Sequence, residues 1–515
     1  MRATLAEEFR HALATHAEKV AIKSDNAELT YADLDAWSRA VCRQLHDVGL
    51  RAGDVVALYL RNRAEFVVCD VAISRLGAVK LPINYMLPTE TVAYILDRAS
   101  AKAVVVDAAM AGGLPSPTEA SGLAVFQVAD AGADLLPHAR RLADLTDASD
   151  EGFPVVPDLP PTAPAAIYFT GGTTGRPKGV LHTQASTVAL HYAQLLEAEI
   201  RQDDCLLLLT PLAHAAGLFA QSAVIRGATI VLHDGFDAGT ALDLFASQDI
   251  TWTFLVPTMI YRILDLPAPE NRLALRTIVY GAAPIAPSRL EQALDRFGRV
   301  FIQLYGQTAC PNWGTRLAKE DHDPARPDLL LTCGQASIMA DVKVVDDDGK
   351  DVALDEIGEI CLKSPYLLHS YLLDPAATEQ KFLDGWIRTG DIGTMDARGY
   401  LTLKDRKADM VITGGMNVYC REVEDVLAQH PDVRAVAVIG IPHEDWGEAV
   451  HAVVTVRSDA FDPAALIAWS RDRLARYAVP KSVEVVESLP ETAFGKVEKK
   501  KIREPHWQGR DRGIA

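Results

Sequence analysis

Between residues 55 and 304, short apolar runs alternate with stretches of helical period, and few folds accommodate that pattern. The runs at 55–60, 103–107, 166–170, 206–210, 229–233, 253–257, 277–281 and 300–304 have the length of buried strands. Stretches such as 186–196 and 287–297 carry apolar residues at helical spacing. A strand, a helix and a further strand in succession form a crossover, which joins parallel strands and not a hairpin. The expected class is therefore α/β, with parallel sheets covered by helices.

A chain of 515 residues exceeds one ordinary core, so more than one domain is expected. From about residue 335 the helical stretches give way to strands with turn signals, and Asp347-Asp348-Gly349 between apolar runs reads as a hairpin turn. After 405–409 the pattern changes again, to a strand at 411–413, a helix at 422–429, strands at 435–439 and 452–456, a helix at 463–477 and a strand at 483–486. The expected organisation is a large N-terminal domain of helix-covered sheets over 1–404, β-rich from about 335 to 404. A hinge at 405–409 and a small, mobile α+β C-terminal domain at 410–515 complete it. Residues 110–162, rich in Ala, Pro, Gly and Asp, read as a variable surface region.

Fifty-one basic residues face sixty-nine acidic ones, a net charge of −18, which argues against nonspecific binding of nucleic acid or anionic membrane. A polyanionic ligand must then be met by local backbone amides and a few placed cations. The seven cysteines show no zinc-ligand spacing, and Cys205 and Cys361 sit in apolar runs that read as core. The charged N-terminus lacks a signal-peptide core, and no run reaches the ~20 apolar residues of a membrane span. A cytoplasmic protein without an integral membrane segment is expected.

The segment 170–179 reads T-G-G-T-T-G-R-P-K-G. Gly171, Gly172 and Gly175 allow the backbone to approach a ligand closely, while Thr170, Thr173, Thr174 and Lys178 add hydroxyls and positive charge. That combination suits a polyphosphate. It is not the common P-loop, because Lys178 follows Pro177 and precedes Gly179, with no Ser or Thr after it. A plain glycine turn before a helix is the alternative.

On this block the chain resembles the adenylate-forming superfamily of acyl-CoA synthetases, carrier-loading adenylation domains and beetle luciferases, with fatty-acid and aryl-acid CoA ligases the nearest in wording. Further motifs of that family follow in order along nearly the whole chain. P-L-A-H-A-A-G at 211–217 resembles the acid-pocket motif, which implies that His214 lies near the carboxylate; a satisfied core histidine is the alternative. Gly281-Ala282-Ala283-Pro284 resembles the loop beneath adenine. Gln303-Leu304-Tyr305-Gly306-Gln307-Thr308 resembles the motif in which Tyr305 would stack on adenine and Thr308 would bond the α-phosphate. W-I-R-T-G-D at 386–391 implies that Asp391 binds the ribose hydroxyls, joined by Arg406. Gly414-Gly415-Met416-Asn417 resembles the loop of the thiol-acceptor tunnel. P-E-T-A-F-G-K at 490–496 implies that Lys496 meets the substrate carboxylate and the α-phosphate. The neighbouring Lys499, Lys500, Lys501 and Arg503 read as a solvated basic end.

The resemblance implies an ATP-dependent acid–thiol ligase that forms an acyl-adenylate and then an acyl-CoA, with ATP, Mg²⁺ and coenzyme A required. Its partners would be a small-molecule carboxylic acid, ATP and CoA, with no nucleic acid; a homodimer is compatible with it. CoA is expected over a carrier protein because no carrier domain follows. The acid is expected to be apolar and to lack an α-amino group, since 211–217 holds no aspartate for an ammonium. Two positions depart from the family. Ala309 stands where a glutamate usually helps to hold Mg²⁺, leaving Thr170 as the metal contact, and Ala408 stands at the usual charged hinge position, with Asp409 beside it. A stand-alone enzyme loading a carrier protein, a weakened acyl- or nucleotide-binding homologue and a luciferase-like oxygenase are the alternatives.

Overall fold

All but the last of the eight apolar runs form strands within two residues of the expected bounds, and the last, at Phe301–Gln307, runs further than expected. These positions come from a computed structural model that describes residues 2–24, 27–114, 122–128, 134–148, 158–170, 176–247, 249–268, 273–458, 460–490 and 497–508. By density of contacts the chain divides into two compact units, Met1–Val342 with Leu362–Ile387, and Lys343–Cys361 with Arg388–Ala515.

The first unit contains two large sheets. In one, the order is Gln335–Ala336, Cys310–Leu317, Phe301–Gln307, Thr277–Gly281, Trp252–Leu255, Cys205–Leu208, Thr229–Leu232, Val20–Ser24, Ala27–Thr30. From Phe301–Gln307 across to Val20–Ser24 every pairing is parallel, and only the outer pairs are antiparallel. The other sheet runs from Ser370–Tyr371 through Lys178–Thr183, Pro164–Thr170, Val79–Pro82, Val55–Tyr59, Ala103–Val106 and Ala124–Gln127 to Arg140–Arg141. Here the strand Lys178–Thr183 is antiparallel to both neighbours. The centres of both sheets are thus parallel, as the alternation requires; in the second sheet the pairing stays parallel out to the edge at Arg140–Arg141.

The helix Ala64–Leu76 touches strands of both sheets and is buried on every face. It nevertheless carries Asp70. A carboxylate there needs a partner, and Lys80 supplies one at 2.8 Å, both side chains being 5% exposed. Gln221 donates to the other carboxylate oxygen at 3.0 Å. Residues 110–162 need a correction: Ala124–Gln127 extends the second sheet and Phe126 is fully buried, so part of this region is core. The edge of Ala103–Val106 would otherwise be left unpaired.

In the second unit, Met416–Val418, Val411–Thr413, Gly447–Val456 and Val433–His443 form a sheet in that order, with Ser482–Val485 parallel to Gly447–Val456. The helices Cys420–Leu427 and Pro463–Arg471 pack on it around Val423, Leu427, Val450, Val454 and Leu466. The helix expected at 463–477 stops at Arg471, and the chain then turns into Ser482–Val485. Leu474, Ala478 and Val479 still enter the core. At the expected hairpin, the Gly349 amide donates to the Asp346 carbonyl at 3.0 Å with φ +82°.

The reading of Lys499 and Arg503 as solvated is wrong. The helix Lys499–Arg503 packs on Val433–His443, and its i and i+4 side chains point inward. Lys499 Nζ lies 2.8 Å from Glu424, and Arg503 lies 3.5 Å from Asp409. Burial opposes the Lys499 charge, but Glu424, Cys420 and Asp405 together hold its pKa above the usual value. Lys500 is left about half exposed and Lys501 more so. Removing one partner of such a pair strands the other, so Lys499→Ala should lower stability by about 3 kcal/mol. Urea unfolding followed by tryptophan fluorescence checks this, with partial recovery expected in Lys499→Ala/Glu424→Gln.

Candidate functional site

In an open parallel sheet, loops that leave the carboxyl ends of the strands are where ligands bind. In the first sheet those ends carry three of the sequence motifs. His214 follows Cys205–Leu208, Ala282 and Ala283 follow Thr277–Gly281, and Tyr305 to Thr308 close Phe301–Gln307. The last two strands are neighbours, with Gly281 opposite Leu304.

Glycine is forced at several of these ends. A Cβ on Gly281 would meet the Leu304 carbonyl at 2.5 Å, and one on Gly306 would lie 2.7 Å from the Cys310 carbonyl. At Gly217 it would fall 2.0 Å from the Leu212 carbonyl, which sets the tight entry from His214 into the helix Ala215–Arg226. Ala282 is exposed and adopts φ +65°, a left-handed conformation that strains a non-glycine residue by about 1–3 kcal/mol. His214 is half-buried at the N-cap, without a capping bond from its side chain.

Tyr305 is nearly buried, whereas Gly306, Gln307 and Thr308 are partly open. Gln303 is buried and accepts from the Tyr280 hydroxyl at 3.3 Å; that hydroxyl also lies 3.0 Å from His322 Nε2. Gln307 accepts from Lys381 Nζ at 3.2 Å, so a cation stands beside the turn. Ala309 is buried, and its carbonyl accepts the Leu368 amide at 2.8 Å.

The phosphate-type turn joins two antiparallel strands, Pro164–Thr170 and Lys178–Thr183, and not a strand and a helix. Thr170 and Lys178 are paired at its base. Gly171, Gly172, Thr173, Thr174 and Gly175 lie outside the described residues. The Lys178 ammonium stands 3.3 Å from Asp374 and 5.5 Å from the Tyr371 ring centre.

One residue that the sequence did not single out links this hairpin to Thr308. His182 is buried on Lys178–Thr183, and its Nε2 lies 2.9 Å from the Thr308 carbonyl. Burial holds its pKa down to about 4, so the ring is neutral and donates from Nε2. Tyr168 meets it edge-on at 6.0 Å, and Lys80 lies 5.9 Å from the Tyr168 ring centre. The signal in the sequence was a polar ring inside the run V-L-H-T, too weak alone to distinguish from an ordinary core histidine.

In the second unit, Asp391 and Arg406 are partners across adjacent strands, with Nε and Oδ1 3.8 Å apart. The Asp391 amide donates to Thr389 Oγ1 at 3.0 Å, which fixes the carboxylate's backbone. Gly414 and Gly415 form a two-residue turn between Thr413 and Met416, with φ of +57° and +79°. Both central residues in the left-handed region is the hairpin turn that glycine alone adopts easily. Lys496 lies outside the described residues.

Residues 9–372 match the family model of the AMP-binding enzyme, and residues 422–496 match that of the AMP-binding enzyme C-terminal domain. The chain belongs to this family. A medium/long-chain fatty-acid–CoA ligase, FadD8 of Mycobacterium tuberculosis, is 36% identical over 98% of this chain and 90% of its own length. A feruloyl-CoA synthase of an Amycolatopsis species is 34% identical over 94% and 95%. Among solved structures, the amide bond synthetase McbA of Marinactinospora thermotolerans superposes with a TM-score of 0.88 and 33% identity, covering 97% of this chain and 99% of that one.

This AMP-binding enzyme keeps His182, His191 and His322 neutral by burial, with pKa values down to about 4, about 3 and about 4. Their unfolded values are higher, so the unfolded chain takes up protons first as pH falls. Their contribution to stability is complete above about pH 6.5 and is lost from there down to about pH 4 for His182 and His322 and about pH 3 for His191. At pH 5 each should cost about 2 kcal/mol relative to pH 7. Urea midpoints at the two pH values test this; His182→Gln should remove about a third of the fall, and equal midpoints in the unaltered protein would contradict buried neutral rings.

Proposed function

We propose that this enzyme joins an apolar fatty or aryl acid without an α-amino group to coenzyme A, in two steps. The carboxylate attacks the α-phosphorus of ATP and pyrophosphate leaves; a thiol then attacks the acyl carbon and AMP leaves. The observation that carries the reading is the pair of neighbouring parallel strands whose ends present Gly281-Ala282-Ala283 and Tyr305-Gly306-Gln307-Thr308 side by side. Family membership and the named CoA ligases among the relatives support the activity.

In this reading the adenine rests on Gly281–Ala283 and Tyr305, Thr308 bonds the α-phosphate, and Thr170 to Gly175 with Lys178 hold the other phosphates. Asp391 and Arg406 bind the ribose. His214 stands beside the acid, and Gly414 and Gly415 admit the thiol. Lys496 brings its charge to the carboxylate and α-phosphate, where it stabilises two anions that must meet. Residues 1–404 serve as the adenylation domain, 405–409 as the hinge and 410–515 as the lid, in a cytoplasmic enzyme. Gln303 belongs to the same nucleotide site, with its amide oxygen engaged by the Tyr280 hydroxyl.

Magnesium would travel on the ATP phosphates. The chain offers it the Thr170 hydroxyl and, at Ala309, a buried methyl group where a carboxylate is usual, a poor donor set for a hard cation. The reading therefore assigns no step to a protein-held metal. Lys381 beside Gln307 supplies positive charge at the same turn.

A second reading has one specific support, the similarity to an amide bond synthetase, in which an amine would accept the acyl group. Acid-dependent exchange of pyrophosphate into ATP, followed by product analysis with CoA or an amine, separates the two. Exchange with fatty or aryl acids and a thioester with CoA are expected; exchange without a thioester would favour the amine. Ala309→Glu should raise the exchange rate about 10-fold, the scale of a restored metal contact, and Lys496→Ala should reduce it at least about 100-fold, as for a lost electrostatic contact.

A further inference from the structure

The second unit contains a cluster that the proposed reaction does not use. His451 on Gly447–Val456 pairs with Ser482 on the parallel strand Ser482–Val485, and Glu484 lies two residues further on the same face. His506 belongs to the short helical turn Glu504–Trp507, which is anchored where Trp507 Nε1 donates to the Gly440 carbonyl at 3.0 Å. One ligating atom from each of His451, Glu484 and His506 lies within 4.8 Å of the others.

The arrangement around His451 is that of a metal-binding imidazole. Its ring is 6% exposed, and its Nδ1 is paired with Ser482 Oγ at 2.7 Å, which fixes the ring's orientation. Its Nε2 is buried, makes no hydrogen bond and lies 3.4 Å from Glu484 Oε2. A histidine ligand is typically held in this way, with one nitrogen engaged by a neighbour and the other turned to the metal. At zinc–ligand bonds of 2.0–2.1 Å, tetrahedral ligands stand about 3.3 Å apart. The His451–Glu484 separation already meets that spacing. The His506 ring has its centre 5.2 Å from that of His451, so a side-chain rotation would bring a nitrogen to the third corner.

We propose that His451, Glu484 and His506 bind a divalent transition cation of the zinc type, with water in the fourth position. Two imidazoles and one carboxylate favour zinc, cobalt or nickel over magnesium or calcium, which take oxygen ligands. The cation ties the C-terminal turn to the edge of the sheet. Glu484 and His506 lie on either side of Lys496 in sequence, so the cation also closes the stretch of chain that contains it.

The full-length protein, freed of metal with a chelator and dialysed, is titrated with Zn²⁺ against a chromophoric competitor and, separately, with Co²⁺. One tight equivalent of Zn²⁺ is expected, with visible cobalt bands typical of four- or five-coordination and no intense near-ultraviolet thiolate band. Glu484→Gln and His506→Gln, both at exposed or half-exposed positions that leave the core intact, should each weaken binding at least about 100-fold, and Ser482→Ala about 10-fold. Circular dichroism verifies that each variant is folded. Failure to bind a tight equivalent overturns the proposal. So does an equivalent that persists in both variants, which would mark an adventitious ion only, or a thiolate band, which would place the metal on cysteine.

Discussion

Two sheets that pack through apolar contacts alone could slide past one another by a residue without great loss. In the first unit they are fixed by buried polar ties. His182 on one sheet bonds the Thr308 carbonyl on the other. Gln194, on the helix that follows Lys178–Thr183, accepts from Asn312 at 2.6 Å and from the Trp313 ring nitrogen at 3.3 Å. Asp70, Lys80 and Gln221 connect two helices and a strand in the middle of the unit. An unpaired polar group in such surroundings costs several kcal/mol, of order 1–3 for a neutral one and more for a charge. Only one relative placement satisfies all of them together, so these bonds specify the arrangement that packing merely permits.

That placement matters because the motifs are delivered by different sheets. The polyphosphate-type turn closes a hairpin in one, while His214, Gly281–Ala283 and Tyr305–Thr308 end strands of the other. Each has a rigid base, and glycine permits the approach of backbones where a side chain would collide. In a chain of net charge −18, such preset backbone donors and a few cations are the means by which a polyanion can be held. Lys178 and Lys381 are already neighboured by Asp374 and Gln307, which keeps them oriented.

The replacement at residue 309 illustrates how a departure from a family pattern is accommodated. A methyl group fills the position and is buried, and the backbone of the same residue is held by Leu368. The turn is therefore held by its backbone, with no charge at 309. Shape and charge are separable here because the turn is defined by backbone bonds and by Gly306, not by the side chain at 309.

The strands and helices were legible because their signals are local: run length, helical spacing, and the glycines that mark strand ends. Thr277–Gly281, Pro287–Phe297 and Val411–Thr413 fall where those signals placed them. The motif residues were legible as types in an order, since glycine, threonine and lysine at fixed spacing define a chemistry before any fold is known. What the sequence could not supply was whatever depends on partners distant in the chain. His182 and Thr308 are 126 residues apart, and Lys499 and Glu424 are 75 apart, so neither the buried donor nor the buried ammonium could be told from an ordinary core or surface residue. The same holds for His451, Glu484 and His506, and for Gln303, whose amide oxygen accepts from Tyr280. Local spacing determined the elements and the chemistry of the motifs. Burial and long-range pairing, which exist only once the sheets have closed, decided which polar side chains became structural ties and which were left at the strand ends.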